Sequence, residues 1–281
     1  MMVQDRLQLR PLGKTGLTVS SLGLGCSHIA SLSTRASASE IDELLETAWD
    51  NGVRFFDTAD IYGQGDSERR LAGIAARDGA VICTKAGLAV SVSQTLVRMA
   101  KPVLRPMLLR MKKAGSVAAS ARQAAEAHEL RPHLIVARLE ASLKRLKREA
   151  VDVFLLHSPP RERMENEVLF ELLEDIHAHG KARCVGVSCQ TLADADWVLR
   201  QGRCNVLQVP LSARELPEVR GFLERAAEAG VGIIAREVLR GAPVESALPP
   251  LLRDPGVSTT LMGTINPKHL LQNIEIAGSV Q

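Results

Sequence analysis

Eight short apolar runs recur along the chain, and a segment with helical periodicity follows each of them. The runs are rich in Val, Ile, Leu and Phe, which favours strands, and their alternation with helices is typical of parallel βαβ units. Eight strands with eight helices predict an α/β fold closed into a (β/α)8 barrel, the TIM-barrel architecture. The runs span residues 20–25, 53–57, 80–85, 151–157, 182–188, 204–209, 231–237 and 258–263.

The first helical segment shows how the outer ring is encoded. Its apolar residues recur every three to four positions, so they lie on one face of a helix. Ser39 is the expected N-cap and Gly52 the expected end. The apolar face consists of Ile41, Leu44, Leu45 and Ala48.

A second pattern precedes the first barrel strand. Residues 7–20 alternate apolar and polar positions around Gly13 and Gly16, which are turn residues. We therefore predict an N-terminal β-hairpin that plugs one end of the barrel.

One segment interrupts the rhythm. More than 40 residues separate Lys85 from the helix that begins near Pro132, where about 2 to 6 are usual. No Asp or Glu occurs from Gly79 to Ala125, whereas Lys and Arg alternate with Leu, Met and Val. We predict a single domain over 1–281, with an enlarged, basic and partly helical loop after barrel strand 3 over 86–131.

The role of this basic insertion stays open at the level of sequence. It is either a helical lid whose basic face is solvated, or a peripheral contact with anionic lipid or a partner protein through 98–122. A third option is recruitment of an anionic substrate or a cofactor phosphate.

Composition narrows the class of protein. The 281 residues are 46 % hydrophobic, enough for a large core. A net charge of +3 and 3 % aromatic residues argue against nucleic acid as a partner. The five cysteines lack a C-x-x-C pair, and no hydrophobic signal region or run of about 18 uncharged apolar residues occurs. We expect buried, reduced thiols in a soluble cytoplasmic protein, a monomer or weak oligomer.

Polar side chains end three consecutive strands, where barrel active sites lie. Asp57, Lys85 and His157 hold these positions, and Tyr62, the only tyrosine, follows the first of them. Singly, each has a structural alternative as a cap or a rim residue. Together they suit proton transfer, because an ammonium about 4 Å from a phenolate stabilises it by about 4 kcal/mol at a dielectric near 20, roughly 3 pKa units before desolvation opposes it.

This constellation resembles the aldo-keto reductase superfamily over nearly the whole chain. The similar segments are "LGKTGLTVSSLGLGC", "FFDTADIYG", "ICTKAG", "VDVFLLHSP", "CVGVSCQ", "NVLQVPLS", "IIAREVLRG" and "LMGTINPKHLLQN". The resemblance implies a barrel that binds an extended nicotinamide cofactor, usually NADPH, and reversibly reduces an aldehyde or ketone to an alcohol.

The resemblance also assigns roles to residues. Asp57, Tyr62, Lys85 and His157 match the catalytic tetrad, with Tyr62 as the proton donor. The cofactor positions are implied in three groups. Ser188 and Gln208 match the carboxamide contacts, Glu237, Leu239 and Gly241 the pyrophosphate loop, and Gly263, Thr264, His269 and Asn273 the segment around the adenosine half and its 2'-phosphate.

Four positions depart from the family pattern. Cys189 stands where an Asn often contacts the carboxamide, and Leu211 replaces the ring that usually stacks on the nicotinamide. His269 stands where many members have Arg or Gln, and Gly263 where some have Lys, so fewer cationic side chains are available to bind a 2'-phosphate. NADPH is the expected cofactor and NADH the alternative. Substrate contacts are expected from Cys26, Ser27 and His28 and from the enlarged loop.

Rival functions remain. A Schiff-base aldolase would use Lys85 as a neutral nucleophile, which an adjacent Asp57 opposes. A metal site at His177 and His179 is disfavoured, because these residues end a helix stopped by Gly180. A nicotinamide-binding sensor that docks on a partner without significant turnover is the main alternative to the enzyme.

Overall fold

Eight parallel strands form a closed ring in the computed structural model, which describes residues 7–29, 36–88 and 128–280. Each strand pairs with the next along the chain, and the last pairs with the first. The predicted (β/α)8 barrel is therefore confirmed, with strand boundaries that lie within two residues of the apolar runs. The barrel strands are β3 (Leu22–Gly25), β4 (Phe55–Asp57), β5 (Val81–Ala86), β6 (Val151–His157), β7 (Ala182–Ser188), β8 (Val206–Pro210), β9 (Gly232–Arg236) and β10 (Thr259–Met262).

Helices surround this ring and bury their apolar faces against it. Our N-cap for the first helix is wrong by two positions: Ser37 accepts from the backbone of Glu40, whose side chain in turn accepts from Ser37 N. This reciprocal capping box wins over Ser39 because it satisfies two backbone donors at once. The helices are α1 (Ala38–Asp50), α2 (Asp66–Ala75), α3 (Pro132–Leu146), α4 (Arg161–Met164), α5 (Val168–Ala178), α6 (Leu192–Gln201), α7 (Leu216–Ala229), α8 (Val244–Arg253) and α9 (Pro267–Gly278), with a 3-10 turn at Tyr62–Gly65.

The N-terminal hairpin closes one end of the barrel, as predicted. Its antiparallel strands are β1 (Leu9–Pro11) and β2 (Thr18–Ser20). Leu12, Leu17 and Val19 are buried in one cluster with the side chains that fill the barrel interior. Lys14 N donates to Gly230 O at 2.8 Å, which ties the hairpin to the chain just before β9.

The register of the parallel strands brings polar residues to one edge. Asp57 pairs with Gly25, His157 with Ser188, and Ser188 with Gln208. All of these residues lie at or near the carboxyl ends of their strands, so the barrel presents them together at the end opposite the hairpin.

The base of the predicted insertion is described, but most of the insertion is not. Leu88 and His128 form an antiparallel bridge, and Glu129 N donates to Gly87 O at 2.8 Å. Residues 98–122, to which the docking role was assigned, lie outside the described ranges. The single domain over 1–281 stays a prediction for the same reason.

Two sequence expectations concern thiols and membranes. All five cysteines are free and buried, which confirms the prediction of unpaired internal thiols. Among the helices in the described ranges, none has the length and apolar character needed to cross a bilayer.

Candidate active site

Strand ends place the four predicted catalytic side chains at one mouth of the barrel. Asp57 ends β4, Lys85 is the penultimate residue of β5, and His157 ends β6. Tyr62 follows Asp57 at the start of the 3-10 turn. Neighbouring strands thus bring together groups that lie up to 100 residues apart in sequence.

Lys85 and Asp57 form a buried ion pair. Lys85 Nζ lies 2.7 Å from Asp57 Oδ1 and 2.8 Å from Oδ2, and it also donates to Thr58 O at 2.9 Å. Burial alone lowers the pKa of Lys85, but Asp57, through its charge and its hydrogen bond, and the neighbouring Tyr62 and Cys83 together outweigh burial and leave the pKa above its ordinary value. Lys85 is therefore a cation, which disfavours the Schiff-base aldolase because that mechanism needs a neutral amine.

Tyr62 lies between the ammonium and the imidazole. Lys85 Nζ is 5.2 Å from the centroid of the phenol ring, and the Tyr62 and His157 rings meet edge to face with centroids 5.8 Å apart. Burial raises the pKa of Tyr62, while Lys85 lowers it through its charge and a hydrogen bond, and the net pKa is above the ordinary value. Desolvation therefore outweighs the cation in this structure, and the phenol holds its proton at neutral pH.

His157 is a neutral imidazole. Burial lowers its pKa well below the ordinary value, and the positive charges of Lys85 and Arg236 and the nearby His128 act in the same direction. Its Nδ1 atom is buried without a hydrogen-bond partner among the described residues. A neutral ring carries one N–H, so it can donate a single hydrogen bond to a substrate oxygen without adding charge.

Ser188 and Gln208 extend the polar chain from the tetrad. Ser188 Oγ donates to Gln208 Oε1 at 2.7 Å, and Gln208 Nε2 donates to Asp57 Oδ1 at 2.8 Å. All three side chains are buried. These contacts orient the amide of Gln208, because only its nitrogen can donate to the carboxylate.

An open cavity of about 520 Å³ lies over this cluster. Its size falls in the range of cofactor and substrate sites. Lys85, His157 and Ser188 do not line it, but they contact the wall residues Asp57, Tyr62 and Gln208 respectively. The predicted site residues in the wall are Asp57, Tyr62, Gln208, Glu237, Leu239 and Gly263, and Ser27 and His28 of the predicted substrate contacts join them.

The remaining predicted cofactor positions lie beyond the cavity wall. Gly241 has a left-handed φ of +83° two residues after Leu239. Thr264 Oγ1 accepts from Asn266 N at 3.1 Å in the turn that leads into α9. His269 is exposed in the first turn of α9 and Asn273 is buried further along that helix.

Arg236 is a wall residue that sequence reasoning missed. It ends β9, lines the cavity, donates from Nη2 to Cys189 O at 2.7 Å and pairs with Glu237. The rule that polar strand ends form the site would have found it, but the neighbouring Glu237 was chosen as the strand end. Leu211 is fully buried, so it offers no surface to a ligand in the cavity.

Comparisons with a family model and with individual proteins show what this chain is similar to. A model described as "Aldo/keto reductase family" matches residues 21–247. D-threo-aldose 1-dehydrogenase of a Pseudomonas species is 29 % identical over 248 residues, 83 % of this chain and 70 % of that protein. Pyridoxal 4-dehydrogenase of Microbacterium luteolum is 45 % identical over only 80 residues, 28 % of this chain and 23 % of that protein.

Solved structures share the fold. A Pseudomonas aeruginosa protein provisionally assigned as an aldo-keto reductase superposes with a TM-score of 0.78 at 28 % identity, covering 99 % of this chain and 98 % of the other. An aldo-keto reductase from Bacillus halodurans in its holo form has a TM-score of 0.72 at 18 % identity, covering 96 % and 90 %. The second likeness is one of fold alone.

Proposed function

Since this chain belongs to the aldo/keto reductase family, we propose that it is an NAD(P)H-dependent oxidoreductase that reversibly reduces an aldehyde or ketone to an alcohol. The observation that carries the proposal is the buried Asp57–Lys85 pair beside Tyr62 and a neutral His157, with Asp57 and Tyr62 lining an open cavity. A structural salt bridge has no need of a neighbouring phenol, or of an imidazole whose buried Nδ1 has no hydrogen-bond partner among the described residues.

The cavity suits a nicotinamide cofactor in the chemistry of its donors. Gln208 presents an oriented amide, and Arg236 and Arg240 put two cations beside the loop that follows β9. These groups would hold a carboxamide and phosphates. When bound, the cofactor supplies the hydride that the carbonyl carbon accepts during reduction.

The side chains of the tetrad supply the proton that the reduced carbonyl oxygen needs to become an alcohol. Tyr62 donates its hydroxyl proton to the carbonyl oxygen, which becomes the alcohol, and Lys85 stabilises the phenolate that remains. Asp57 keeps Lys85 charged and aimed, while neutral His157 donates a hydrogen bond to the same substrate oxygen. In the reverse direction, the phenolate removes the proton from the alcohol.

Tyr62→Phe tests the assignment because it removes a single hydroxyl. We expect kcat to fall by about 10²- to 10⁴-fold, with no change in NADPH affinity measured by quenching of the two tryptophans. Turnover is followed at the nicotinamide absorbance band with a panel of carbonyls. Aldoses and pyridoxal come first in that panel, because two relatives are named for them.

The sensor alternative predicts a different result. A nicotinamide-binding barrel without turnover would bind NADPH, reduce no carbonyl in the panel, and keep its affinity in Tyr62→Phe. That combination of results would replace the enzyme assignment. Loss of turnover in the variant, from a measurable rate in the parent, excludes it.

NADPH is the proposed cofactor and NADH the alternative. His269 in the exposed first turn of α9 is the basic side chain proposed to meet a 2'-phosphate. We expect His269→Ala to raise KM for NADPH and leave KM for NADH unchanged. Equal effects on both cofactors would show that His269 does not read the phosphate.

A peripheral contact with anionic lipid or a protein through residues 98–122 is the second proposed interaction. Deleting 98–122 and measuring sedimentation with phosphatidylserine vesicles tests it. Lost binding with unchanged kinetics supports docking, whereas unchanged binding excludes it for these vesicles.

A further inference from the structure

A second buried carboxylate lies two residues before Tyr62. Asp60 Oδ2 accepts from Arg138 Nη1 at 3.2 Å, with the two side chains 6 % and 23 % exposed. Its other oxygen, Oδ1, is buried without a hydrogen-bond partner in the described parts of the chain. Asp60 belongs neither to the tetrad nor to the cavity wall.

The loop that carries Tyr62 is attached to the strand that carries Lys85. Asp60 N donates to Lys85 O at 3.1 Å, and Thr58 N donates to Cys83 O at 2.8 Å. In the opposite direction, Lys85 Nζ donates to Thr58 O at 2.9 Å. The position of Tyr62 relative to Lys85 therefore depends on how this loop lies against β5.

Arg138 contacts both the loop that carries Tyr62 and the segment that follows β5, from outside the barrel. Besides Asp60, its Nη1 donates to Leu88 O, two residues beyond the end of β5. Arg138 projects from α3, which packs against β5. One guanidinium thus joins the Tyr62 loop, the segment after the Lys85 strand, and a helix of the outer ring.

The neighbouring pair shows what a satisfied buried carboxylate looks like here. Both oxygens of Glu68 are bonded, Oε1 to Thr84 Oγ1 at 2.7 Å and Oε2 to Arg145 Nε at 2.5 Å. Within residues 7–29, 36–88 and 128–280, Asp60 has a partner for only one oxygen. A half-satisfied buried carboxylate weakens the fold relative to an apolar residue of similar size. Packing therefore gives no reason for an acid at this position, and a role in the site does.

We propose that Asp60 and Arg138 form a positioning pair that sets the hydroxyl of Tyr62 against the ammonium of Lys85. The inference rests on the proposed function, because positioning matters only if Tyr62 transfers a proton. The pair does not touch the reacting atoms and acts through the loop at residues 58–61.

Kinetics of three variants test the positioning role. In Asp60→Asn and Arg138→Met we expect kcat to fall about 10- to 100-fold, as for a misplacement near 1 Å, with KM for NADPH unchanged. Arg138→Lys keeps a cation and should recover part of kcat. Glu140→Gln is the matched control, because Glu140 lies on the same helix as Arg138. The change breaks an exposed ion pair between Glu140 and Lys181 and should leave kcat unchanged.

Tyr62 offers a second readout that needs no turnover. Because it is the only tyrosine, isotopically labelled tyrosine gives a single NMR resonance whose titration reports the pKa of Tyr62 alone. Removal of a nearby negative charge would by itself lower that pKa. Displacement from Lys85 raises it, so we expect an upward shift in Asp60→Asn, where the two effects have opposite signs.

The outcomes separate the two proposals. Full turnover in Tyr62→Phe would overturn the proposed function. An inactive Tyr62→Phe, together with parental kcat and an unshifted or lowered Tyr62 pKa in Asp60→Asn, would overturn the positioning role. Asp60→Asn is nearly isosteric, so the test stands even if Arg138→Met fails to fold.

Discussion

At Tyr62 two physical effects act in opposite directions. Burial penalises the phenolate, and Lys85 stabilises it, with burial the larger effect. Sequence reasoning anticipated the cation but not the extent of burial. The phenol therefore holds its proton until a substrate oxygen arrives to accept it, and Lys85 acts on the phenolate left afterwards.

Lys85→Met should expose this balance. We expect kcat to fall and the alkaline limb of the reduction profile to move to higher pH, because Tyr62 loses the cation that lowers its pKa. The profile of kcat against pH is the measurement. Lys181→Met, the same change at an exposed lysine, is the control, and a limb that moves to lower pH would contradict the assignment.

Asp60 gives a stability prediction with a definite sign. Burial, reinforced by Glu68 and opposed by Arg138 and Arg145, raises its pKa from 3.8 to about 7. The folded protein therefore binds a proton that the unfolded chain has released, and stability falls as pH rises across that window.

Asp60→Asn cannot ionise and should escape this loss. We expect its free energy of unfolding, measured in urea, to exceed that of the parent by an amount that grows from pH 4 to 7, up to about 4 kcal/mol. A difference that stays constant over this range would show that Asp60 does not titrate there. Lower kcat with higher stability would mark a residue kept for function.

Among the secondary-structure elements, β7 depends on a residue without a side chain. Gly186 pairs with Val206 of β8, and a Cβ at Gly186 would lie 1.8 Å from Val206 O. The two strands are in contact because this position is a glycine. Ser188 and Gln208 lie two positions further along the same pair, so their alignment depends on that contact.

Gly186→Ala should separate β7 from β8 and reduce stability by at least about 3 kcal/mol. Gly73→Ala is the matched control, since a Cβ added at this exposed position in α2 would meet no atom within 4 Å outside its chain neighbours and the backbone of its own helix, and alanine there should stabilise by about 0.5 to 1 kcal/mol. Thermal unfolding measures both. Equal small effects would mean that the strands tolerate the methyl group.

The molecule as a whole separates stability from chemistry at its two ends. The hairpin inserts Leu12, Leu17 and Val19 into the barrel interior at one end, while the tetrad and the cavity occupy the other. The side chains in the barrel interior, between the hairpin and the cavity, form a packed core and not a pore. Changes at the plug should therefore alter unfolding and leave turnover intact.

Leu12→Ala tests this separation. Leu12 is fully buried, so the loss of its contacts and the cavity left behind should reduce the free energy of unfolding by about 2 to 5 kcal/mol. We expect kcat and KM at 25 °C to match the parent. A fall in kcat at constant folded fraction would show that the plug is coupled to the site.

Periodicity and residue type alone were sufficient to predict the eight strands, the hairpin and the polar strand ends, because a strand's burial and a parallel barrel's active edge follow from local pattern. Asp57, Lys85 and His157 were placed at strand ends in that way, with Tyr62 in the loop after the first of them. The partners of Ser37, Asp60 and Arg236 were not predicted. The capping box of Ser37 depends on which of several local hydrogen bonds forms. The contacts of Asp60 and Arg236 depend on groups that are distant along the chain. Only the folded chain brings Arg138 to Asp60, 78 residues away, and only burial in that fold sets which side chains of the site carry charge.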